Sequence, residues 1–337
     1  MGRRLGSLIP LLLTPLFVFL ALRHTDWRQF LDGVLHAQPG LIAIGLLLGT
    51  TSLALRAMRW RSLLSARADV EYMTVFWAAS GGYLANTLLP ARAGELVRST
   101  MVARNSGLSQ SFLLATTLTE RVFDAAALAL AALLALLTMG QAPHWMVQAS
   151  RTVALASGVG VLGIVLLPRL EAQCLRLVGM TPPAIRGRLA GLTEHAVCGV
   201  RALHNVKRAS TFGLLTPLIW ILDVLGTTIV GRALDLPISI GSAFLLLAVL
   251  GLSSAIPATP GNVGFSQFVA VSVLEPLGLA HGQALGYVLI LQASGVLIFL
   301  LWGIPALWLA GKSNGRHLRP ARAAGALHAN TLENSLE

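Results

Sequence analysis

The amino-acid sequence predicts an all-α, polytopic membrane helix bundle: six spanning helices plus two re-entrant hairpins, arranged as an inverted repeat. Three observations predict it. Only 12% of the 337 residues are charged and 55% are hydrophobic, with a mean hydropathy of +0.72. Soluble domains carry about 25% charged residues, so this chain has too little polar surface for water, and lipid is its natural solvent. Apolar runs of bilayer-crossing length recur along the chain. Two shorter runs end in the same Pro/Gly pattern, half a chain apart.

The elements follow in order. The run 5–22 comes after Arg3 and Arg4, lacks a small-x-small cleavage site and stops at Arg23 and His24, so it predicts an uncleaved first helix. Runs at 40–58, 112–139, 151–167, 211–230 and 284–310 supply five more spans. The runs 73–89 and 240–256 lead into Pro90-Ala-Arg-Ala-Gly94 and Pro257-Ala-Thr-Pro-Gly261, each followed by a short helix-like segment. Proline ends a helix and glycine permits a tight turn, so both read as hairpins that enter the membrane and turn back.

Charge sets the orientation. The net charge of +11 sits beside apolar runs, which is the signature of membrane topology and not of a nucleic-acid surface. Arg3 and Arg4, the cluster Arg56, Arg59, Arg61 and Arg67 after the second span, Arg104, the basic segment 168–208, and Lys312, Arg316, Arg319 and Arg322 are all expected on the cytoplasmic side. Loops 23–39 and 140–150 are expected outside. Both termini are then cytoplasmic, in a cell inner membrane. Trp60, Trp145, Trp302 and Trp308 fall near the expected interfaces and read as belt residues.

The two cysteines, Cys174 and Cys198, lie in the basic segment and are expected as free thiols. His195 and His204 flank Cys198, but the set reads as incidental, and no metal or cofactor is expected. Ile185, Leu189, Leu192, Val197, Val200 and Leu203 follow a roughly helical period. They suit an amphipathic helix on the inner leaflet and a helix packed against the bundle ends equally well.

The repeat rests on two pairs of motifs. The P-x-x-x-G turns are 167 positions apart, and the pairs Gly107-Leu108 and Gly278-Leu279 are 171 apart. The halves are 1–139 and 140–310, the second including the cytoplasmic segment 168–208, with 311–337 as a cytoplasmic tail without structure. The charge-derived orientation runs 112–139 outward and 284–310 inward, which makes the repeat an inverted one. In such designs half-helices point their free N–H groups and positive dipole ends toward the midplane, where an anion is attracted.

Charged side chains at bilayer depth cost roughly 2.5–3.5 kcal/mol each, so Arg92, Glu95 and Arg98 in the first hairpin and Glu120, Arg121 and Asp124 in the next span are the most informative residues. Glu120 and Asp124 share a helix face, and Arg121 and Asp124 are i,i+3 neighbours. One reading is a substrate site in which Arg92 and Arg121 meet a phosphate and the three acids balance them. The other is an ion-pair network that pins hairpin to span. Asp223 is an intramembrane acid without a local partner, Arg232 reads as interfacial, and Glu275 as solvated. Asn86 and Asn262 sit near the turns as hydrogen-bonding or capping residues. No P-loop, dinucleotide fingerprint, HExxH or GxSxG motif occurs.

NTLLPARAGELVR at 86–98, TERVFD at 119–124 and IPATPGNVGFSQF at 256–268 resemble, in this order and spacing, the transmembrane region of lysylphosphatidylglycerol synthases. The resemblance covers about 5–310. It implies a flippase-like module whose motif positions here are Arg92, Gly94, Glu95 and Arg98, then Glu120, Arg121 and Asp124, then Pro257, Pro260, Gly261 and Gly264. In two-domain members that region is associated with translocating the modified phospholipid, while a soluble domain transfers the amino acid. No room for that domain is seen here, so lysyl transfer is not expected. The expected substrate is an anionic lipid or lipid-linked molecule. The alternatives are a non-transporting membrane partner of a glycosyltransferase or lipid-modifying enzyme, and an intramembrane lipid transferase using Glu120 and Asp124.

Overall fold

The computed structural model describes residues 35–89, 93–138, 144–166, 169–180, 186–187, 197, 200–253 and 263–317, with residues 19, 22 and 28. The turn residues Pro90, Arg92, Pro257, Pro260, Gly261 and Asn262, together with His195 and Cys198, lie outside them.

Every regular element among the described residues is a helix. In chain order they are α1 (Pro39–Leu64), α2 (Tyr72–Leu88), α3 (Gly94–Ser106), α4 (Gln110–Thr138), α5 (His144–Leu166), α6 (Glu171–Gly179), α7 (Val206–Ala233), α8 (Ile240–Ser253), α9 (Phe265–Leu274) and α10 (His281–His317). Short 3-10 turns precede α7 at Ala202–His204 and follow α9 at Glu275–Leu277. Of the described helices, α1, α7 and the stretch His281–Lys312 of α10 are long and apolar enough to cross a membrane.

The helix ends have local causes. Pro39 opens α1 at a position where its missing N–H is not needed. Asn205 caps α7 by accepting from the Arg208 N–H at 3.3 Å. Gly107 ends α3 at φ +68°, and Gly278 ends the turn after α9 at φ +97°, a left-handed stop that glycine adopts without a Cβ clash. Both are followed by leucine, Leu108 and Leu279.

The exterior is apolar, and a few charged side chains are buried within. Leu47, Leu118, Leu134, Leu155, Leu214 and Leu301 are exposed, whereas Arg59, Arg98, Glu120 and Asp124 are buried. Such an exterior suits acyl chains. Two main cores lie beneath it. One is built from α1 to α4 around Trp60, Val75, Phe76 and Phe112, with Ile298 of α10 inserted. The other is built from α7 to α10 around Val224, Leu246, Val271 and Tyr287.

Helices from before and after residue 140 are interlocked. α1 packs along α7, α2 against α10, and α4 against α8. The α1–α7 pair is antiparallel. The Gln38 N–H bonds to the Ala233 carbonyl at 2.8 Å, Gly45 abuts Val230, and Leu63 meets Phe212 in a small core of its own.

The sequence reading differs from the structure in three places. The second span does not stop at 58: α1 runs on to Leu64, because nothing in 58–64 breaks a helix, Arg59 finds partners on other helices and Arg61 binds Asp69 and the Val70 carbonyl in the loop that follows. Trp60 is not a belt residue. It is fully buried, with its Nε1 donating to Thr116 Oγ1 at 3.1 Å. α5 begins at His144, ahead of the apolar run. Of the six apolar residues at helical spacing in the basic segment, Val197, Val200 and Leu203 are described; the first two are buried and Leu203 is half-buried.

Candidate functional site

The first hairpin is closed by contact between glycines. A Cβ on Gly94 would stand 2.0 Å from the Gly82 carbonyl oxygen and 2.6 Å from Asn86 Oδ1, so α2 and α3 approach at a distance only hydrogen allows. Asn86 uses that closeness: its Oδ1 accepts from the Gly94 N–H at 2.8 Å. Glu95 lies in the first turn of α3, where a carboxylate complements the helix dipole. The amino end of α3 thus already carries an internal acceptor and an internal anion.

From that turn a chain of alternating charges runs through the bundle. Arg121 on α4 holds Glu95 Oε1 through Nη2 at 2.5 Å and Nε at 3.2 Å. Arg98 Nε stands 2.8 Å from Glu95 Oε2 as an ion pair, and Arg98 Nη2 reaches Glu120 Oε2 at 3.0 Å and Thr117 Oγ1 at 2.7 Å. Arg59 Nε lies 3.4 Å from Glu120 Oε1. Its two terminal nitrogens bind Asp124 at 2.6 and 2.8 Å, and Nη1 also donates to Thr216 of α7 at 3.2 Å. The Arg98 guanidinium sits over the Trp60 ring at 4.4 Å, and that of Arg59 over Phe212 at 5.1 Å. Three guanidinium groups and three carboxylates balance, which is the condition for charge in a low-dielectric interior.

Five of the six hairpin and span charges therefore meet: Glu95, Arg98, Glu120, Arg121 and Asp124. Arg92 and Asn262 lie outside the described residues. The i,i+3 spacing of Arg121 and Asp124 does not become a contact. Arg121 turns to α3 and Asp124 to α1. Arg59, the centre of the network at 2% exposed, was assigned by sequence to a cytoplasmic cluster. Asp223 has a partner after all, Arg56 of α1 at 2.5 Å. Arg56 and Arg59 carried one local signal: they stand one helical turn apart at the end of an unbroken apolar helix, each beside a small or aromatic neighbour. Glu275 is partly exposed and contacts His281 at 2.8 Å, in keeping with a solvated position. Arg232 is exposed.

Beside the network lies a cavity of about 500 Å³, lined by α1, α7 and α10 with contributions from neighbouring helices. Because α1 and α7 are antiparallel, its ends differ. Arg56, Ser52, Trp220 and Asp223 stand at one end; Gly45, Gly49, Gly226 and Val230 stand toward the other, beside the apolar Leu247, Val288 and Leu291. Arg121, at the end of the ion chain and 31% exposed at its side chain, reaches this cavity, as does Tyr83. Glu95, Arg98, Glu120, Asp124 and Arg59 do not line it. In the second half, Gly264 opens α9 at φ +82°, and Gln267 bonds back to its N–H at 2.7 Å and onward to Gln292 at the cavity wall. Among the described residues no group of His, Cys, Asp and Glu is placed to hold a metal ion.

A helical bundle with an apolar exterior, a balanced internal charge chain and a cavity beside it defines a class: an integral membrane protein that keeps charge in its core. Comparison with known sequences is more specific. The chain belongs to the family described as the lysylphosphatidylglycerol synthase TM region, which it matches over residues 7–303. It is also 28% identical over 322 residues to a protein named glycosyltransferase AglD from Haloferax volcanii, covering 84% of this chain and 51% of that one. The chain thus spans about half the length of this curated relative.

Proposed function

We propose that the protein is a flippase-like module that binds and translocates an anionic lipid or lipid-linked substrate across the inner membrane, with both termini cytoplasmic. The observation that carries this reading is the cavity, with guanidinium groups at one end and glycines and aliphatic side chains at the other. A headgroup meets the charges while its chain lies along the apolar wall. Arg121, with Arg92 from the turn, supplies positive charge; Glu95, Arg98, Glu120 and Asp124 hold Arg121 in place and keep the interior neutral. Asn262 meets the headgroup from the second turn.

The inverted repeat belongs to this reading, with halves 1–139 and 140–310 and the tail 311–337. The antiparallel α1–α7 pair supports it, since helices exchanged by a two-fold axis in the membrane plane must run oppositely. So does the exchange of partners, α2 with α10 and α4 with α8. Pro90 and Gly94, and Pro257, Pro260, Gly261 and Gly264, would form the two re-entrant turns. The test is reconstitution in vesicles containing fluorescent phosphatidylglycerol, with dithionite access reporting translocation. Wild type is expected to move the label and Arg92→Ala to lose that activity; vesicles in which neither does more than empty controls refute the reading.

A second reading is favoured by the similarity to a protein named as a glycosyltransferase. The module then serves as the membrane partner of a glycosyl- or lipid-modifying enzyme, docked through the basic segment 168–208. Co-purification of such an enzyme, lost when 184–206 is scrambled, supports it over translocation.

A further inference from the structure

The polar end of the cavity holds groups the ion chain does not use. Ser52 and Arg56 are four residues apart and share the cavity face of α1. Trp220 of α7 lies beneath Arg56, with the guanidinium carbon 5.0 Å from the ring centre. Ser52 Oγ and Trp220 Nε1 are buried and have no hydrogen-bond partner among the described residues. Buried donors in native proteins are rarely left so. Arg56 spends Nη2 on Asp223 and keeps further N–H donors. An indole N–H can only donate, and so can a guanidinium.

We infer that Arg56, Ser52 and Trp220 form a cradle for the phosphate of a lipid headgroup, and that Asp223 is a resident counter-ion which the phosphate displaces from Arg56. The inference rests on the reading above and deepens it by naming the ligand chemistry and its ligands. A donor-rich pocket calls for an acceptor-rich anion; an ammonium headgroup, which only donates, leaves the same groups unsatisfied. Phosphate offers more acceptor positions than the single Asp223 oxygen now in place, so it can meet Arg56, Ser52 and Trp220 together. Beyond these groups the cavity continues along Gly45, Gly49, Gly226, Leu247, Val288 and Leu291, a wall that suits an acyl chain.

The full chain in nanodiscs, titrated with fluorescent phosphatidylglycerol and with its phosphate-free diacylglycerol counterpart, tests this. Wild type is expected to prefer phosphatidylglycerol by about tenfold, the scale of one charge-assisted hydrogen-bonding group. Arg56→Gln should erase that preference, and Ser52→Ala and Trp220→Phe should each reduce it. Asp223→Asn should tighten binding, because it removes the competitor; a merely structural pair would give the opposite sign. Arg56→Gln combined with Asp223→Asn keeps the bundle neutral, and should run as a folded, monodisperse species that no longer distinguishes the two lipids. Equal affinity for both lipids in wild type, or weaker binding in Asp223→Asn, overturns the cradle. Full competition by millimolar inorganic phosphate overturns the lipid assignment. Translocation assayed in parallel separates the claims: normal movement in the three donor variants removes the cradle and leaves transport standing, while selective binding without movement does the reverse.

Discussion

Arg59 of α1 grips Asp124 of α4 with both terminal nitrogens, 2.6 and 2.8 Å from the two carboxylate oxygens, at a point where neither group meets solvent. The pair joins residues 65 positions apart and is extended by Thr216 of α7, so three helices are tied at one place. A fork-to-fork contact of this kind fixes rotation and register as well as charge.

Removing Arg59 takes from Asp124 both of its guanidinium contacts in the core, and removing Asp124 leaves Arg59 to share Glu120 with Arg98. Asp124→Leu and Arg59→Met are each expected to destabilise the bundle by about 3–5 kcal/mol. The double variant Arg59→Met with Asp124→Leu removes both charges and should recover most of the loss, although Glu120 then keeps only Arg98. Thermal unfolding of the detergent-solubilised protein gives the comparison. Additive losses in the double variant would mean that the two side chains do not act as a unit.

Why was Arg59 missed while Glu120 and Asp124 were found? The acids interrupt an apolar run, so their cost in lipid marks them at once. Arg59 stands where the apolar run gives way to Arg61 and Arg67, and a basic end is what topology alone requires. Its meaning comes from Asp124, which is not near in sequence. The helices themselves were legible: the runs 73–89 and 112–139 became Tyr72–Leu88 and Gln110–Thr138. Gly107-Leu108 and Gly278-Leu279 stood out in the sequence only as a matching pair; that both glycines are left-handed stops came from the structure. Pairings such as Arg56 with Asp223, and the directions taken by Arg121 and Asp124, depend on which helices become neighbours, and no local period encodes that.

The first hairpin should be intolerant at one glycine and tolerant at another. Gly94→Ala drives a methyl group into the Gly82 carbonyl and Asn86. Both are held in place, so a loss of at least about 2 kcal/mol is expected. Gly107→Ala meets no atom within 4 Å, and its cost is the left-handed backbone alone, about 1 kcal/mol. Melting temperatures in the order wild type, Gly107→Ala, Gly94→Ala check the assignment; the reverse order would place the tight approach elsewhere.

Arg121 and Glu120 are neighbours with different duties. Glu120 is buried between Arg59 and Arg98, whereas Arg121 ends the chain and reaches the cavity. Glu120→Gln should therefore lower stability markedly, because two guanidinium groups lose their shared counter-charge. Arg121→Gln leaves Glu95 paired with Arg98, so it should melt within a few degrees of wild type yet translocate anionic lipid about tenfold more slowly. Initial rates in vesicles, normalised to folded protein, separate the two. Equal rates for wild type and Arg121→Gln would remove Arg121 from the substrate path.

Topology is the last test, and the rest of the transport reading depends on it. Gly107 and Gly278 lie 171 positions apart, each a left-handed stop ahead of a long helix, α4 or α10. If a two-fold axis in the membrane plane relates the halves, as the antiparallel run of α1 along α7 supports, the corners face opposite leaflets. Asn105 and Ala280 are exposed beside them and accept a cysteine without disturbing the glycines. In a chain with Cys174→Ser and Cys198→Ser, Asn105→Cys should react with an impermeant maleimide only from the cytoplasmic face, and Ala280→Cys only from the outer one. Labelling of both from one face would make the halves parallel, and a headgroup would then have no matched exit on the far side of the bilayer.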